Sequence, residues 1–457
     1  MNRIEGDKVV WMIMFLLILI SIVTIFSSTP LLARESDSSR LKILKDQLLI
    51  TGLGLGLIFL CNSIKSIGVF KFFSRFGYLV SIGMLLVLTL RIKTPLFSAG
   101  QINDAWRIIK VGGLQIHVYE IVKVAMIMYL SWVLHSFKEN KYMLTDFFAD
   151  RFERLSWLRN PFVKNAVYVY IPILSVTMLI FIEGTSSALF VMMIMLITLY
   201  VGGLNMKDIA AVGATLVGLI ALVVVLYYSS GEKIVLSNRL ITAIGRVTSG
   251  SENKDRMITI QTASRNSKEF QDALDKLRQP VSAQLAIKEG GIFGKGPGHS
   301  TQRYVVPVIF GDYMYSFIIE EYGLFGGIII LILYVSLLAR GSLIARNCEN
   351  HFAKTAVAGL IILISAQAFM HMAVNVHLLP QTGQTLPLIS HGSSSFLAFC
   401  IAFGIILSIS RMVHRKLQKQ AAEAAPIIEA RPDEIHDRLD ELDALETFEA
   451  PEDSYEE

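Results

Sequence analysis

The feature that most constrains this chain is a series of ten long apolar runs. Each is about 18–26 residues long, which is the length that a helix needs to cross ~30 Å of hydrocarbon. With 53% hydrophobic and 18% charged residues, the composition excludes an ordinary soluble domain. The sequence therefore predicts an all-α polytopic membrane protein with ten transmembrane helices. The runs lie near residues 10–28, 47–64, 74–91, 118–136, 165–183, 186–203, 209–229, 313–338, 355–376 and 393–412.

Short loops rich in Lys and Arg predict which ends of the helices face the cytoplasm. Loop 137–164 and the segment after residue 412 are basic, whereas loop 377–392 holds no Lys or Arg. Ten spans then place both termini in the cytoplasm and loop 377–392 outside, although the basic residues of 34–45 argue the other way. Because no small-residue cleavage site follows the first run, that run is predicted to be a retained helix rather than a signal peptide.

The predicted domains follow from these spans. A cytoplasmic tail covers residues 1–9, a membrane domain covers 10–413, and a second cytoplasmic tail covers 414–457. The longest loop, 230–311, is predicted to lie outside the membrane, and long loops are uncommon unless they are functional.

Charge is distributed unevenly along the chain. From residue 423 onward there are 14 acidic and 2 basic residues, so this tail carries −12 while the rest carries +16. A basic membrane body suits an anionic membrane surface. The acidic tail predicts either a disordered segment or, through apolar residues spaced helically at 435–445, a short helix that binds a partner. The three cysteines stand singly, without disulfide or metal-ligand spacing.

Carboxylates inside apolar runs are costly and usually functional. Asp312 stands where the eighth run begins, and Glu320 and Glu321 lie about 12–14 Å deeper if the run is one helix. Asp312 is therefore either a functional carboxylate at the membrane surface or a helix N-cap. Glu320 and Glu321 either face a polar cavity or form a buried structural pair.

Three further stretches carry polar signals. Glu120 and Lys123 lie three residues apart in the fourth run, on one helical face, where an ion pair would lower their cost. The Gly-rich stretch 290–298 can present backbone N–H groups to an anion. Two prolines break the helical pattern within 375–395, as irregular backbone does where it lines a cavity.

Together these motifs resemble the SEDS family (shape, elongation, division and sporulation), the group of FtsW, RodA and SpoVE. The resemblance covers most of the chain. The motif that leads into the eighth helix is matched by Gly290, Gly291, Gly294, Gly296, Pro307, Asp312, Glu320, Glu321 and Gly323. The C-terminal signature is matched by Asn375, Pro380, Thr382, Gly383, Leu386, Pro387, Ser390, Gly392 and Ser394. The fourth-helix motif is matched by Arg107, Gly112, Gly113, Glu120 and Lys123.

Several positions depart from the family pattern. Val308 and Phe310 stand where the family has Glu and His, Ile108 replaces a Trp, and Ser393 replaces a signature Gly. These departures indicate a divergent branch. Within the family, GKGPGHSTQR resembles the division and sporulation type and favours an FtsW-like protein over a RodA-like one.

The resemblance implies a ten-helix fold with a large extracytoplasmic loop between helices 7 and 8. It also implies a peptidoglycan glycosyltransferase that polymerises lipid II at the outer face of the bacterial cytoplasmic membrane. Asp312 would be the general base, and a divalent cation, Mg or Mn, would be a candidate cofactor. A class B penicillin-binding protein and other divisome proteins would be partners. The predicted substrate-binding residues are Arg107, Glu120, Lys123, Lys295, Arg303, Glu320, Glu321, Asn375 and Ser390.

Three other interpretations stay open. Intramembrane carboxylates and broken helices also suit a transporter, here a lipid II flippase. The concentration of motifs on the predicted outer side argues against a continuous polar path. An elongation-type, RodA-like polymerase is a second possibility. A scaffold without activity is the third, and the departures at Val308 and Phe310 favour it.

Overall fold

The structure is a computed structural model that describes residues 6–30, 39–102, 105–112, 114–229, 259–262, 267–305 and 310–429. The described part is mostly helical. Its first four helices are α1 (Lys8–Ser28), α2 (Arg40–Ser63), α3 (Ile67–Arg75) and α4 (Gly77–Thr89). A three-stranded sheet follows, with β1 (Phe97–Ile102), β2 (Ala105–Val111) and β3 (Leu114–His117). The central helices are α5 (Val118–Lys138), α6 (Met143–Arg151), α7 (Pro161–Asn165), α8 (Ile171–Glu183), α9 (Thr185–Val201) and α10 (Met206–Ser229). The last four helices are α11 (Lys268–Gly290), α12 (Met314–Arg346), α13 (His351–Asn375) and α14 (Ser393–Glu429).

A helix covers each of the ten predicted apolar runs. By length and composition, seven helical segments within the described residues are able to cross a membrane, or eight if the pair α3 and α4, bent by 40°, forms one span. The sixth run corresponds to α9, which is apolar but only 17 residues long. The protein is thus a multi-pass membrane protein, and the count of ten crossings stays a prediction.

The small antiparallel sheet corrects the expectation of an all-α chain. Strands β1 and β2 pair from Phe97 with Val111, and β2 and β3 pair from Val111 with Leu114. Gly112 adopts a φ of +52° in the tight turn between β2 and β3, which glycine does without steric cost. The strands are short and lie between two apolar runs, whose hydrophobicity dominates the pattern of this part of the sequence.

Two apolar clusters form the core. The first joins α1, α12, α13 and α14, and the second joins α4, α5, α8 and α9. Helix α5 contributes buried residues to both clusters. The residues before α5 and the loop before α14 therefore meet where the two halves of the bundle touch.

Helix α12 is broken, which differs from the single span predicted at 313–338. Gly323 has φ 72° and ψ −176°, a conformation outside the helical region that glycine alone adopts readily. A Cβ at this position would lie 2.1 Å from the carbonyl oxygen of Ile292. The break therefore lets the Gly-rich loop 290–298 approach the backbone of α12.

The first and last helices extend beyond the predicted apolar runs, while the predicted domain boundaries stay a prediction. Helix α1 begins at Lys8, where Asp7 accepts from the backbone N–H groups of Val9 and Val10. Helix α14 runs through the predicted boundary at 413 to Glu429, so residues 414–429 are helical. The amphipathic pattern at 435–445 lies outside the described residues, as do positions 230–258 of the long loop.

Candidate active site

Asp312 lies in the turn that precedes α12. The N-cap of that helix is Tyr313, with no side-chain cap, so the N-cap interpretation of Asp312 is wrong. The Asp312 side chain is half-buried, and its Oδ2 lies 3.8 Å from the point where a Cβ on Gly383 would sit. Arg107 Nη1 lies 4.0 Å from the same point. The structure therefore brings a carboxylate and a guanidinium, 205 residues apart in the chain, to one small space beside Gly383.

Asn375 fixes the main chain on both sides of the turn. Its Nδ2 donates to the carbonyl oxygen of Asp312 at 3.1 Å. Its Oδ1 accepts from the backbone N–H of Ser316 at 3.0 Å and from the Ser316 hydroxyl at 2.7 Å. Because Asn375 is fully buried, these bonds are shielded from competing water. In this structure Asn375 positions Asp312, and its predicted contact with substrate stays a prediction.

The loop before α14 holds the preceding two residues. The Ser390 hydroxyl donates to the carbonyl oxygen of Gly311 at 2.7 Å and accepts from the backbone N–H of Leu386 at 2.9 Å. The backbone N–H of His391 donates to the carbonyl oxygen of Phe310 at 2.9 Å. The C-terminal signature thus forms a cradle for the turn that carries Asp312.

Lys123 is the centre of a buried polar network. Its ammonium donates to Glu120 Oε1 at 2.8 Å, Gln367 Oε1 at 2.6 Å and Gln384 Oε1 at 3.1 Å. The predicted ion pair with Glu120 is confirmed. An ammonium has three donors, so Lys123, only 2% exposed, has all of them engaged. Gln384 directly follows Gly383, and the network therefore anchors the loop that borders Asp312.

Arg107 reaches the site from strand β2. Two hydrogen bonds hold the backbone of the adjoining Trp106. Its backbone N–H donates to Glu183 Oε2 at 3.1 Å, and its carbonyl accepts from the Tyr119 hydroxyl at 3.1 Å. Strand β3 is held by the His117 N–H, which donates to Ser394 Oγ at 2.9 Å. Arg107 Nε is buried without a hydrogen-bond partner among the described residues. The strand therefore positions the guanidinium, and its Nε–H has no described acceptor.

Glu320 and Glu321 form a separate group about 12 Å along α12 from Asp312. Both are fully buried, and both accept hydrogen bonds from the Gly-rich loop and the residues after it. Glu320 Oε1 accepts from the Thr301 N–H at 2.8 Å, and Glu321 Oε1 accepts from the Gly298 N–H at 2.9 Å. The anion held by this loop is thus the protein's own pair of carboxylates, as the structural interpretation predicted.

Lys295 and Arg303 belong to this second group. Lys295 Nζ donates to Glu320 Oε1 at 2.8 Å and also contacts Glu289. Partial burial alone would lower the pKa of Lys295, but the hydrogen bonds to Glu289 and Glu320 outweigh it and raise the pKa above 10.5. Arg303 Nη1 lies 3.9 Å from Glu321 Oε1 and donates to the Ser27 carbonyl at 3.1 Å. Their predicted role in substrate binding stays a prediction, and their observed contacts hold the loop.

A metal centre has little support from the protein ligands. Among the described residues there is no group of three or more His, Cys, Asp or Glu side chains that could hold an ion. The expected Mg or Mn therefore stays an expectation.

Known proteins are similar to this chain along most of its length. A sequence model of the family described as "Cell cycle protein", covering FtsW, RodA and SpoVE, matches residues 7–415. This chain belongs to the FtsW/RodA/SpoVE family. The probable peptidoglycan glycosyltransferase FtsW of Caulobacter vibrioides is 38% identical over 133 residues, which are 29% of this chain and 34% of that protein. The probable peptidoglycan glycosyltransferase FtsW of Geobacter sp. (strain M18) is 24% identical over 90% of this chain and 98% of that protein.

A solved structure shows that this FtsW/RodA/SpoVE chain also shares a fold with known proteins. A chain described under "Structural coordination of polymerization and crosslinking by a peptidoglycan synthase complex" matches with a TM-score of 0.57 and 21% identity. The match covers 90% of this chain and 99% of that chain. At this identity the likeness shows the fold alone.

Two site residues of this family member were missed from the sequence. Gln367 and Gln384 complete the shell of Lys123, and Gln367 Nε2 also donates to the Thr385 carbonyl at 3.1 Å. A lone Gln in the apolar run at 355–376 was the available signal for Gln367. Gln384 stands between the two helix-breaking prolines, and its contact with Lys123 depends on how the loop folds back.

Proposed function

We propose that this chain is a peptidoglycan glycosyltransferase that polymerises lipid II, with Asp312 as the general base. The observation that carries the proposal is the placement of the Asp312 carboxylate and the Arg107 guanidinium around Gly383. Transfer between lipid-linked sugars needs a base for the acceptor hydroxyl and a cation for the leaving pyrophosphate. Membership of the family and the activity printed for its FtsW relatives support this class of reaction.

The reaction follows as a single displacement. Asp312 accepts the proton of the acceptor's glucosamine 4-hydroxyl while that oxygen forms a bond to the anomeric carbon of the donor. The bond from the anomeric carbon to the pyrophosphate breaks, and its electron pair leaves with the polyprenyl pyrophosphate. The configuration inverts from α to β. Asp312 then returns its proton to water, and the carboxylate is regenerated.

The structure favours Arg107 over Lys123 as the direct partner of the pyrophosphate. All three donors of Lys123 are engaged by Glu120, Gln367 and Gln384, so contact with substrate would break a buried hydrogen bond. Arg107 has a buried donor without a described partner and lies near Asp312. Lys123 and Glu120 then act as positioning residues for the loop at Gly383.

The cellular setting extends the proposal. The chain lies in the inner membrane with both termini in the cytoplasm and with Asp312 at the outer face, as the distribution of Lys and Arg supports. A class B penicillin-binding protein is the proposed partner, and the fold shared with a chain of a complex that coordinates polymerization and crosslinking supports it. We assign the chain to the division type from the GKGPGHSTQR stretch, with the RodA-like elongation type as the alternative.

A lipid II flippase is disfavoured by the depth of the polar groups. A polar path across the membrane would continue along α5 beyond Lys123. The next buried side chains of that helix, Val124, Met126 and Ile127, are apolar. Beyond Lys123, the first buried side chain of this helix that is not hydrophobic is Ser131, about two turns farther on, and its hydroxyl donates to the Ile127 carbonyl at 2.7 Å. This hydrophobic stretch of α5 separates the polar groups around Lys123 from the far end of the helix, which suits chemistry at one face of the membrane.

The test is a polymerisation assay. The purified chain, with and without its cognate transpeptidase, would receive labelled lipid II and a divalent cation, and glycan chains would be resolved on a gel. We expect polymer from the wild type and none from Asp312→Asn. Asp150→Asn is the matched control, since that exposed carboxylate pairs with Arg159 far from the site. Polymer from Asp312→Asn would remove Asp312 from the chemistry, and lipid II flipping without polymer would favour the transporter.

A further inference from the structure

A second cluster of charged side chains lies at the far end of α5. Lys71 Nζ, on α3, is 2.5 Å from His135 Nε2. The guanidinium of Arg75 lies over the ring of Trp132, 5.9 Å from its centroid. His135 follows Lys123 by twelve residues, which is about 18 Å along the helix. This cluster is therefore separate from the candidate active site.

The cluster is strongly basic. Lys71 interacts electrostatically with Arg75, Lys141 and Glu139, and His135 interacts with Lys141 and Glu139 as well. Lys138 and Lys354 surround the neighbouring His351. Glu139 is the one acid among these interacting groups, and it is shared between Lys141 and His135. The local charge therefore favours an anionic ligand.

His135 supplies an observation that points to a ligand. His135 Nε2 lies 2.5 Å from Lys71 Nζ and 3.0 Å from Glu139 Oε1. A ring protonated beside Glu139 carries protons on both nitrogens, whereas the Nε2 of a neutral ring accepts from Lys71, because an ammonium has no lone pair. The proton of the neutral ring is then on Nδ1. Nδ1 is buried and has no hydrogen-bond partner among the described residues, although His135 is only 7% exposed. This buried N–H group, on the ring that contacts Lys71, lacks an acceptor, and a phosphate oxygen would provide one.

Exposed aromatic rings adjoin the basic groups. Phe72, Phe73 and Phe76 are 54%, 67% and 45% exposed, and the Phe72 ring contacts the other two edge to face. They alternate along the chain with Lys71 and Arg75 at the bend between α3 and α4. Basic and aromatic residues on one short helix are typical of a segment at the level of the lipid headgroups. The ligand should therefore carry an anionic head and apolar chains.

We propose that Lys71, Arg75 and His135 bind the phosphate headgroup of an anionic phospholipid, whose acyl chains lie against Phe72 and Phe73. The site would occupy the membrane surface opposite Asp312. Basic pockets between membrane helices bind such headgroups in the same way. The proposal does not depend on the reaction at Asp312.

The experiment measures lipid binding directly. The full-length protein in zwitterionic phosphatidylcholine nanodiscs would be titrated with phosphatidylglycerol, and bound lipid would be counted by native mass spectrometry after release. We expect preferential retention of phosphatidylglycerol, with affinity about fivefold lower in Lys71→Gln, the change typical of one cation at an anionic surface. His135→Phe keeps the buried ring without the N–H and should also weaken binding. Arg75→Gln is the second charge variant if Lys71→Gln does not fold.

Lys65→Gln is the matched control. Lys65 is exposed. The carbonyl of the adjacent Ile64 accepts a hydrogen bond from Arg411, near the end of the apolar part of α14, which shows that Lys65 lies at the same end of the bundle. An equal loss in Lys65→Gln and Lys71→Gln would mean general attraction to the surface and would overturn the site. Equal retention of phosphatidylcholine and phosphatidylglycerol would overturn it too. Displacement of the lipid by millimolar inorganic phosphate would indicate a free-anion site and refute the assignment to a phospholipid.

Discussion

Replacing Gly323 by Ala should detach the Gly-rich loop from α12. Four backbone hydrogen bonds join the loop to the helix break: Lys295 N–H to Glu320 C=O, Gly296 N–H to Glu321 C=O, Leu324 N–H to Gly291 C=O and Phe325 N–H to Ile292 C=O. A Cβ at position 323 would lie 2.1 Å from the Ile292 oxygen and 2.5 Å from the Gly294 nitrogen, both backbone atoms. Neither atom can move without breaking some of these bonds.

The cost of this substitution has two parts. A non-glycine residue at φ 72° and ψ −176° carries a strain of about 1–3 kcal/mol. Each lost hydrogen bond adds about 0.5–1.5 kcal/mol, and losing two of the four adds about 1–3 kcal/mol. The free energy of unfolding should therefore fall by about 2–6 kcal/mol.

Thermal unfolding in detergent, followed by intrinsic fluorescence, would measure the change, and limited proteolysis would show whether residues 290–305 become accessible first. Gly52→Ala is the control, because nothing lies within 4 Å of a Cβ there and Ala is favoured over Gly in a helix by about 0.5–1 kcal/mol. A Gly323→Ala protein as stable as Gly52→Ala, with the loop equally protected, would refute the reasoning.

Three further substitutions test the candidate active site and the second group around Glu320 and Glu321. Lys123→Met leaves three buried oxygens without a donor and should lower the free energy of unfolding by about 3–5 kcal/mol, measured by thermal unfolding. An unchanged unfolding midpoint would show that the network is dispensable. Arg107→Lys keeps the positive charge but not the planar guanidinium, and we expect at least about tenfold less glycan polymer with an unchanged unfolding midpoint. Full activity would mean that another residue binds the pyrophosphate. Because the pKa of Lys295 is raised above 10.5, its stabilisation is present below that pH and lost as pH rises through the folded-state pKa. The midpoints of the wild type and Lys295→Gln should therefore differ at pH 8 and converge only as the pH rises through the folded-state pKa, which lies above 10.5. A difference that does not shrink as the pH rises beyond 10.5 would contradict the assignment.

Long apolar runs made the helices predictable. Each run is set by composition alone, so their positions could be predicted without knowledge of how they pack. The break at Gly323 could not, because it results from the approach of a loop that begins about 30 residues earlier. A glycine inside an apolar run is compatible with a continuous helix, and only the backbone contacts of Ile292 show why this position has to be glycine.

Most residues of the candidate site were predictable from the sequence, but their arrangement was not. Asp312, Arg107 and the pair of Glu120 and Lys123 could be chosen from their motifs. Their grouping could not, since Arg107 meets Asp312 only through the fold of β2 and the loop at Gly383. The motif match also predicted Glu320 and Glu321 as substrate ligands in the same motif as the catalytic Asp312. Spacing along a helix already separated them from Asp312, and in the structure they bind the loop.

The departures from the family pattern bear on whether Asp312 can still act. Phe310 stands where the family has a His, yet the contacts that hold this turn are made by main-chain atoms, the carbonyl oxygens of Phe310 and Gly311. Such bonds do not depend on the identity of the side chain. The Phe310 ring instead packs edge-on against the His391 ring, with centroids 5.6 Å apart, so the altered side chain is accommodated by the same loop that binds its backbone. The change at Phe310 therefore leaves the support of Asp312 intact, and it is weak evidence for a scaffold without activity.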